Sequence, residues 1–286
     1  MATSEVVAWT LAGLSTLAAA GLLVRVAKDR AKLHQRGLLS RWPIRVVEPG
    51  EVLASMRAGE LGPSLDSLVQ ITASVGVRGG ISELESCVLC AAAKEAALNP
   101  TSGPVRIFEF GTCTGKTTYL LALNAHAGAT GELPRVVTLT LAPDQVATYQ
   151  KKGGDDPRDT HAAIKESAFT RFYYTGTEME PRITQLFGDS KAFDVKSGGG
   201  DGVGHENAYD LIFVDGSHAK SYVESDSRLA MRMVKPGGLV AWHDYRGPWR
   251  ARGVWSTLNA LARTHELRLI KGTSIVVWRR PMNAPE

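Results

Sequence analysis

A short apolar run, Val105-Arg-Ile-Phe108, passes into Glu109-Phe-Gly111-Thr-Cys-Thr-Gly115 and then into a helical pattern over Thr117–Ala127. This junction constrains the chain more than any other feature. An apolar run closed by a glycine turn reads as a buried strand, and the 3.6-residue period after it as a helix packed on that strand. Arg135–Leu141 is rich in β-branched residues and predicts a second strand, which completes a β-α-β unit. A helix over roughly 82–98, stopped by Asn99-Pro100, precedes the unit. Downstream, Arg182–Phe187 predicts a strand ending at Gly188-Asp189, and Tyr209–Val214 a strand ending at Asp215. Leu229–Val234 suggests a helix closing at Pro236-Gly237-Gly238, followed by a strand over Leu239–Trp242. His265–Leu269 and Ser274–Trp278, parted by Lys271-Gly272, predict a hairpin. The fold class is therefore α/β: a doubly wound, mostly parallel sheet with an antiparallel C-terminal edge hairpin. The polar, glycine-laden stretches 150–160 and 197–207 read as surface loops.

The N-terminal segment adds a second constraint. Val6–Val24 holds 19 residues without a charge, the length that crosses a hydrocarbon core of roughly 30 Å. Arg25, Lys28, Arg30, Lys32 and Arg36 follow it and only Glu5 precedes it, which predicts a single-pass transmembrane helix with the folded body on the cytoplasmic side. Residues 1–50 carry seven Lys/Arg against three Asp/Glu, an excess equal to the whole net charge of +4. The remaining body is neutral, which argues against a nucleic-acid partner and for a membrane through residues 6–24. Residues 1–45 are thus expected to be an anchor and basic stalk, and residues 46–286 one α/β domain. Three cysteines, Cys87, Cys90 and Cys113, are too few for a disulfide framework. The pair Cys87 and Cys90 sits in a helical run and reads as core packing.

In a parallel sheet of this kind ligands bind beyond the carboxyl ends of the strands. That rule selects Glu109–Gly115, Thr140, Asp189, Asp215 and the pair His243-Asp244. The turn at Gly111–Gly115 opens a helix, so its backbone N–H groups can approach a nucleotide-like ligand. Gly115-Lys116-Thr117 suggests a phosphate loop, and hence a phosphotransferase using Lys116 and Thr117. The spacing is one residue short of that motif, however, with Phe110 where its first glycine belongs. A dinucleotide fingerprint would need glycine at Cys113.

The pattern acid, one residue, glycine, three residues, glycine after the first strand resembles the class I S-adenosylmethionine-dependent methyltransferases. Three further segments look like successive strand ends of their small-molecule O-methyltransferase branch. These are Ile183-Thr-Gln-Leu-Phe-Gly-Asp189-Ser190, Tyr209-Asp-Leu-Ile-Phe-Val-Asp215-Gly-Ser-His218 and Val234-Lys-Pro-Gly-Gly238-Leu-Val-Ala-Trp-His-Asp-Tyr245. The resemblance covers about residues 75–280 and implies a Rossmann-like sheet with S-adenosylmethionine as cofactor. It implies that Glu109, Gly111, Thr112 and Gly115 hold the methionine part, that Asp189 and Ser190 lie by the adenine, and that Asp215 belongs to the same site. Thr140 stands where the family usually has an acid for the ribose hydroxyls. A hydroxyl gives one or two hydrogen bonds there in place of a charge-assisted bidentate contact. Asp144, on the next turn, is the substitute the sequence offers. The departure also leaves open a non-catalytic, degenerate cofactor-binding module.

Methyl transfer to a hydroxyl needs the acceptor deprotonated and held in line with the donor. His218 and His243 have the side-chain chemistry of a general base. Asp215 and Asp244 sit on strand ends expected to be neighbours and could converge on a divalent ion, for which oxygen-rich ligation suits Mg2+. The expected catalytic set is His218, His243 and Asp244, acting on a small-molecule or lipid-associated hydroxyl. Asp210 reads as surface or turn structure, and His126, His161, His205 and His265 as solvent-facing. Deleting residues 1–24 is expected to release the protein from membranes in a fractionation assay; release of the intact chain by salt alone would contradict a span.

Overall fold

The computed structural model describes residues 32, 34–35, 43–56, 80–129, 131–150, 152–167, 169–196 and 204–283. The expected span over residues 6–24 lies outside them. No helix among the described residues is long and apolar enough to cross a membrane. The elements in chain order are β1 (Arg45–Val47), α1 (Pro49–Val52), α2 (Glu83–Leu98), β2 (Arg106–Phe110), α3 (Lys116–Gly128), β3 (Arg135–Thr140) and α4 (Pro157–Glu166). There follow β4 (Ile183–Phe187), β5 (Tyr209–Val214), α5 (Lys220–Met233), β6 (Val234–Trp242), α6 (Arg252–Leu261), β7 (Arg268–Ile270) and β8 (Val276–Arg279).

The eight strands form one sheet in the order β1-β7-β8-β6-β5-β2-β3-β4. Every neighbouring pair is parallel except those of β8, which runs antiparallel to both β6 and β7. The closing hairpin thus enters at the expected end of a mostly parallel sheet. The outermost place beyond it is taken by β1, whose three residues are too few to show a period in the sequence.

Alternation along the strands sends successive residues to opposite faces. Ile107, Leu211 and Phe213 join α2 and α3 in one core, while Phe108, Phe110, Ile212 and Val214 join α5 and α6 in the other. Phe108, Phe110 and Phe213 are 1% exposed or less, and burial on this scale stabilises by roughly 1.5–3 kcal/mol per side chain. Helices on both faces leave the carboxyl ends of β2, β3, β4, β5 and β6 together along one rim, where the candidate side chains emerge.

Three local expectations change. The polar stretch 150–160 is a loop only as far as Asp156, whose side chain accepts from Arg158 N and caps α4 with Pro157 in its first turn. His205 is buried and hydrogen-bonded to the Tyr209 hydroxyl. Asp210 is not on the surface: it is 3% exposed and accepts from Thr101 N, Thr101 Oγ1, Arg106 N and Lys235 Nζ. It ties the start of β2 to β6, and its role is structural. Cys90 is fully buried and Cys87 partly so, neither in a disulfide, consistent with packing. His34 and Gln35 dock on the domain, with Gly272 N donating to Gln35 O at 2.9 Å.

Removing Asp210 leaves Lys235 Nζ, at 2.8 Å, as an uncompensated buried charge. Asp210→Ala is therefore expected to cost about 3–5 kcal/mol in a urea titration, and wild-type stability would refute this account of the pair.

Candidate functional site

The turn after β2 is shaped by backbone that only certain residues tolerate. Gly111 has φ +95°, and a side chain there would collide with the Asp215 backbone carbonyl. Gly115, at φ +76°, starts α3 with no room for a Cβ against Phe172 and Tyr174. Cys113, between them, holds φ +47° without being glycine, a conformation that costs of order 1–3 kcal/mol and persists only where its surroundings enforce it. Thr112 faces inward, sharing a 2.7 Å hydrogen bond with Thr138 Oγ1.

Glu109 lies beneath this turn and does not line the cleft beside it. Its Oε2 accepts from Thr118 Oγ1 and, at 2.8 Å, from Thr138 Oγ1. Burial pushes its carboxyl up to about 8, against the two threonine hydrogen bonds. Glu109 therefore braces the turn from below, joining α3 to β3 as a neutral acid at pH 7.

Above the turn runs a cleft of about 580 Å³, part of it open to solvent. Gly111 and Cys113 after β2, Thr140 at the end of β3, Asp189 and Ser190 after β4 and Asp215 after β5 all border it, so residues from four strand ends expected from sequence do converge. Asp144, the proposed substitute for an acid at Thr140, is exposed and outside the lining. Lys116 and Thr117 are likewise outside it, which leaves the phosphotransferase reading without a site. The sequence reading missed Tyr149, Tyr222 and Asp226. The Tyr149 and Tyr222 rings stack at 4.4 Å, and Tyr222 donates its hydroxyl to Asp189 Oδ2 at 2.8 Å. Asp189 Oδ1 accepts from Lys191 N, so both carboxylate oxygens are engaged. Asp226 is buried, and that burial raises its carboxyl to about 7 against a Ser190 hydrogen bond.

A charged cluster adjoins the cleft. His243 Nδ1 lies 2.9 Å from Asp215 Oδ1, His218 Nε2 lies 2.7 Å from Asp244 Oδ2, and Arg246 Nε lies 2.6 Å from Asp244 Oδ1. Burial opposes charge on both histidines, but the Asp215 and Asp244 carboxylates outweigh it, raising His218 and raising His243 strongly. Burial also opposes ionisation of Asp244, and the His243 charge and the His218 hydrogen bond overcome it, holding that carboxyl well below its usual range. Asp244 itself has φ +61°. The strain is held by the next residue, since Tyr245 N donates to Ser274 O at 3.0 Å and its hydroxyl to Asn259 at 2.7 Å. On the other side, Gly253 lets α6 press against the His218 carbonyl, where a Cβ would collide.

Glu85 was not selected from sequence. In the run Ser82-Glu-Leu-Glu85 it reads as the last member of a capping box, and it does accept from Ser82 N at 2.9 Å. It also accepts from Ser274 N and Oγ, and its Oε2 comes within 3.4 Å of His243 Nε2. Only contacts across 158 and 189 residues of chain reveal that second role.

Asp215, His218 and Asp244 each offer one ligand atom, all within 4.8 Å of one another. Two carboxylates and an imidazole form a donor set that fits a divalent ion. A second pocket opens beyond this cluster, lined by Cys113, Glu166, Asp215, His218, His243 and Asp244 together with one face of α4. Cys113, Glu166 and Asp215 border both pockets.

Residues 108–245 match the family model of a methyltransferase domain. No curated protein matches the sequence. Among solved structures, the chain is similar to the S-adenosylhomocysteine-bound methyltransferase PaMTH1 of Podospora anserina, with 17% identity, 75% of this chain and 87% of that one covered, and a TM-score of 0.47. It is also similar to the O-methyltransferase TomG of Streptomyces achromogenes, in complex with S-adenosylmethionine, at 14% identity, 80% and 96% coverage and a TM-score of 0.46. The O-methyltransferase NovP is similar at 14% identity, 68% and 78% coverage and a TM-score of 0.49.

The raised Glu109 carboxyl has a consequence for stability. Between its ordinary value of 4.5 and about 8, the unfolded chain has lost this proton while the folded one keeps it, so stability falls as pH rises through that window. Glu109→Gln removes the titration. The stability of the variant relative to wild type is expected to rise by upward of about 1 kcal/mol from pH 5 to pH 8 in cofactor-free denaturation curves; a difference that does not change with pH would show that Glu109 is ionised in the fold.

Proposed function

We propose that this chain, whose residues 108–245 form a class I S-adenosylmethionine-dependent methyltransferase domain, methylates a hydroxyl oxygen on a small-molecule or lipid-associated acceptor. One observation carries the reading: Asp215 borders both the cofactor cleft and the pocket that holds His218, His243 and Asp244. A base and a methyl donor on opposite sides of one carboxylate are what methyl transfer to oxygen requires.

The cofactor, when bound, supplies a sulfonium methyl group, which the acceptor oxygen takes as its own proton leaves. Gly111 and Cys113 form the floor of the cleft, Thr140 offers its hydroxyl at the second strand end, and the Tyr149–Tyr222 stack walls the Asp189 and Ser190 end. His218 takes the hydroxyl proton on an imidazole whose charged form Asp244 stabilises at 2.7 Å. His243, fixed by Asp215 and Glu85, holds positive charge beneath the two carboxylates.

A second route to the same deprotonation is supported by the ligand geometry of Asp215, His218 and Asp244. A divalent ion held there, Mg2+ included, would lower the acceptor's pKa as a Lewis acid. Activity that survives a chelator assigns the step to His218; activity restored only by added Mg2+ assigns it to the ion. The apolar run over residues 6–24 supports a membrane anchor with the catalytic body on the cytoplasmic side, which would bring the pocket to acceptors at a lipid surface.

Calorimetry with S-adenosylhomocysteine tests the cofactor assignment, and a folded protein that binds none would sink it. Asp244→Asn is expected to lower kcat about a hundredfold or more while leaving cofactor affinity within about threefold. Equal turnover in both forms would remove Asp244 from the site. With His218 as base, kcat is expected to rise with pH through a value above the ordinary histidine 6.5, the direction its partners impose.

A further inference from the structure

The acceptor pocket has an ion-paired floor and a basic wall. Its floor carries the Asp215 and Asp244 carboxylates against the cofactor side, paired there with His243 and His218. Its wall is α4, where Arg158, His161 and Lys165 recur at three- and four-residue spacing, with Phe169 continuing the stripe just past the helix end. Residues so spaced share one helix face. The acids Asp156 and Asp159 do not line the pocket, and Glu166 sits at its border with the cofactor cleft.

Among the described residues, neither the His161 nor the Lys165 side chain makes an ion pair or hydrogen bond with the protein; Lys165 meets the field of neighbouring Glu166. Arg158 makes a bidentate pair with Asp156, at 3.2 and 2.7 Å, but its side chain is 84% exposed and its other N–H donors face solvent. The cations of α4 are therefore available to a ligand.

From the basic face that α4 turns to the pocket we infer that the acceptor is an anion: its hydroxyl lies on the Asp215–Asp244 floor, and a phosphate or carboxylate elsewhere on the molecule lies against Arg158, His161 and Lys165. Phe169 gives an apolar surface for the carbon frame between them. The inference rests on the methyl-transfer reading and adds the substrate class.

The full chain is saturated with S-adenosylhomocysteine and titrated calorimetrically with phenyl phosphate, benzoate and benzamide, which share a ring and differ in the attached group. At least one of the two anions is expected to bind about tenfold or more tightly than benzamide, and whichever it is distinguishes a phosphate from a carboxylate acceptor. The double variant Arg158→Glu/Lys165→Glu, altered only at exposed positions, is expected to weaken that anion about tenfold or more and leave S-adenosylhomocysteine affinity unchanged. Absence of anion binding, benzamide binding as tightly as the anions, or equal anion affinity in the double variant would each overturn the anion subsite while cofactor binding stood. A wild-type chain that fails to bind S-adenosylhomocysteine would overturn the methyl-transfer reading, and this one with it.

Discussion

The close approach of Gly111 to the Asp215 backbone is the contact on which the site depends. Strands β2 and β5 are parallel neighbours, so the backbones leaving their carboxyl ends diverge only as far as side chains force them to. With no Cβ at residue 111, the glycine turn lies directly against the Asp215 carbonyl. One strand end then supplies the floor of the cofactor cleft, and the next supplies a carboxylate bordering both pockets. A side chain at 111 would separate the two pockets by pushing apart the strands that define them.

The charge arrangement follows from that proximity. Asp215 and Asp244 are brought together on adjacent strand ends, and the buried Asp244 carboxylate needs compensating charge to stay ionised beside a second acid. His218, His243 and Arg246 supply it at 2.7, 2.9 and 2.6 Å. Glu85, on a helix from the opposite core, reaches the far nitrogen of His243 and fixes the ring between two acids. The positive φ of Asp244 fits the same logic: a strained backbone is tolerated where ion pairs and the Tyr245 anchors define the geometry, and the strain aims the carboxylate at His218.

Strand-end residues were legible in the sequence because each follows an apolar run whose length and composition mark a buried strand. Thr140, Asp189, Asp215 and His243-Asp244 needed only the rule that parallel strands present ligands at their carboxyl ends. What that rule does not supply is side-chain direction. Glu109 and Thr112 stand on the same turn as Gly111, yet both face inward, because the alternation that points Phe108 and Phe110 to one core points Glu109 to the other. Tyr149, Tyr222 and Asp226 lie on loop and helix positions with no local signal, and Glu85 is masked by a capping box that explains it fully at short range. His205 and Asp210 show the converse: polar residues in polar-looking sequence are buried because long-range partners satisfy them.

Helix α4 explains why the acceptor side is harder to read than the cofactor side. Thr160 is its only buried residue, so α4 contributes little to either core. Its sequence is free of the packing constraints that fix the sheet, and a helix so placed can change its pocket-facing side chains at small cost in stability. In our proposal selection of the acceptor falls to an element whose residues look like an ordinary solvated surface, and its cations gain meaning only when the pocket they line is seen. In that proposal the sheet sets where methyl transfer happens, and α4 sets what is methylated.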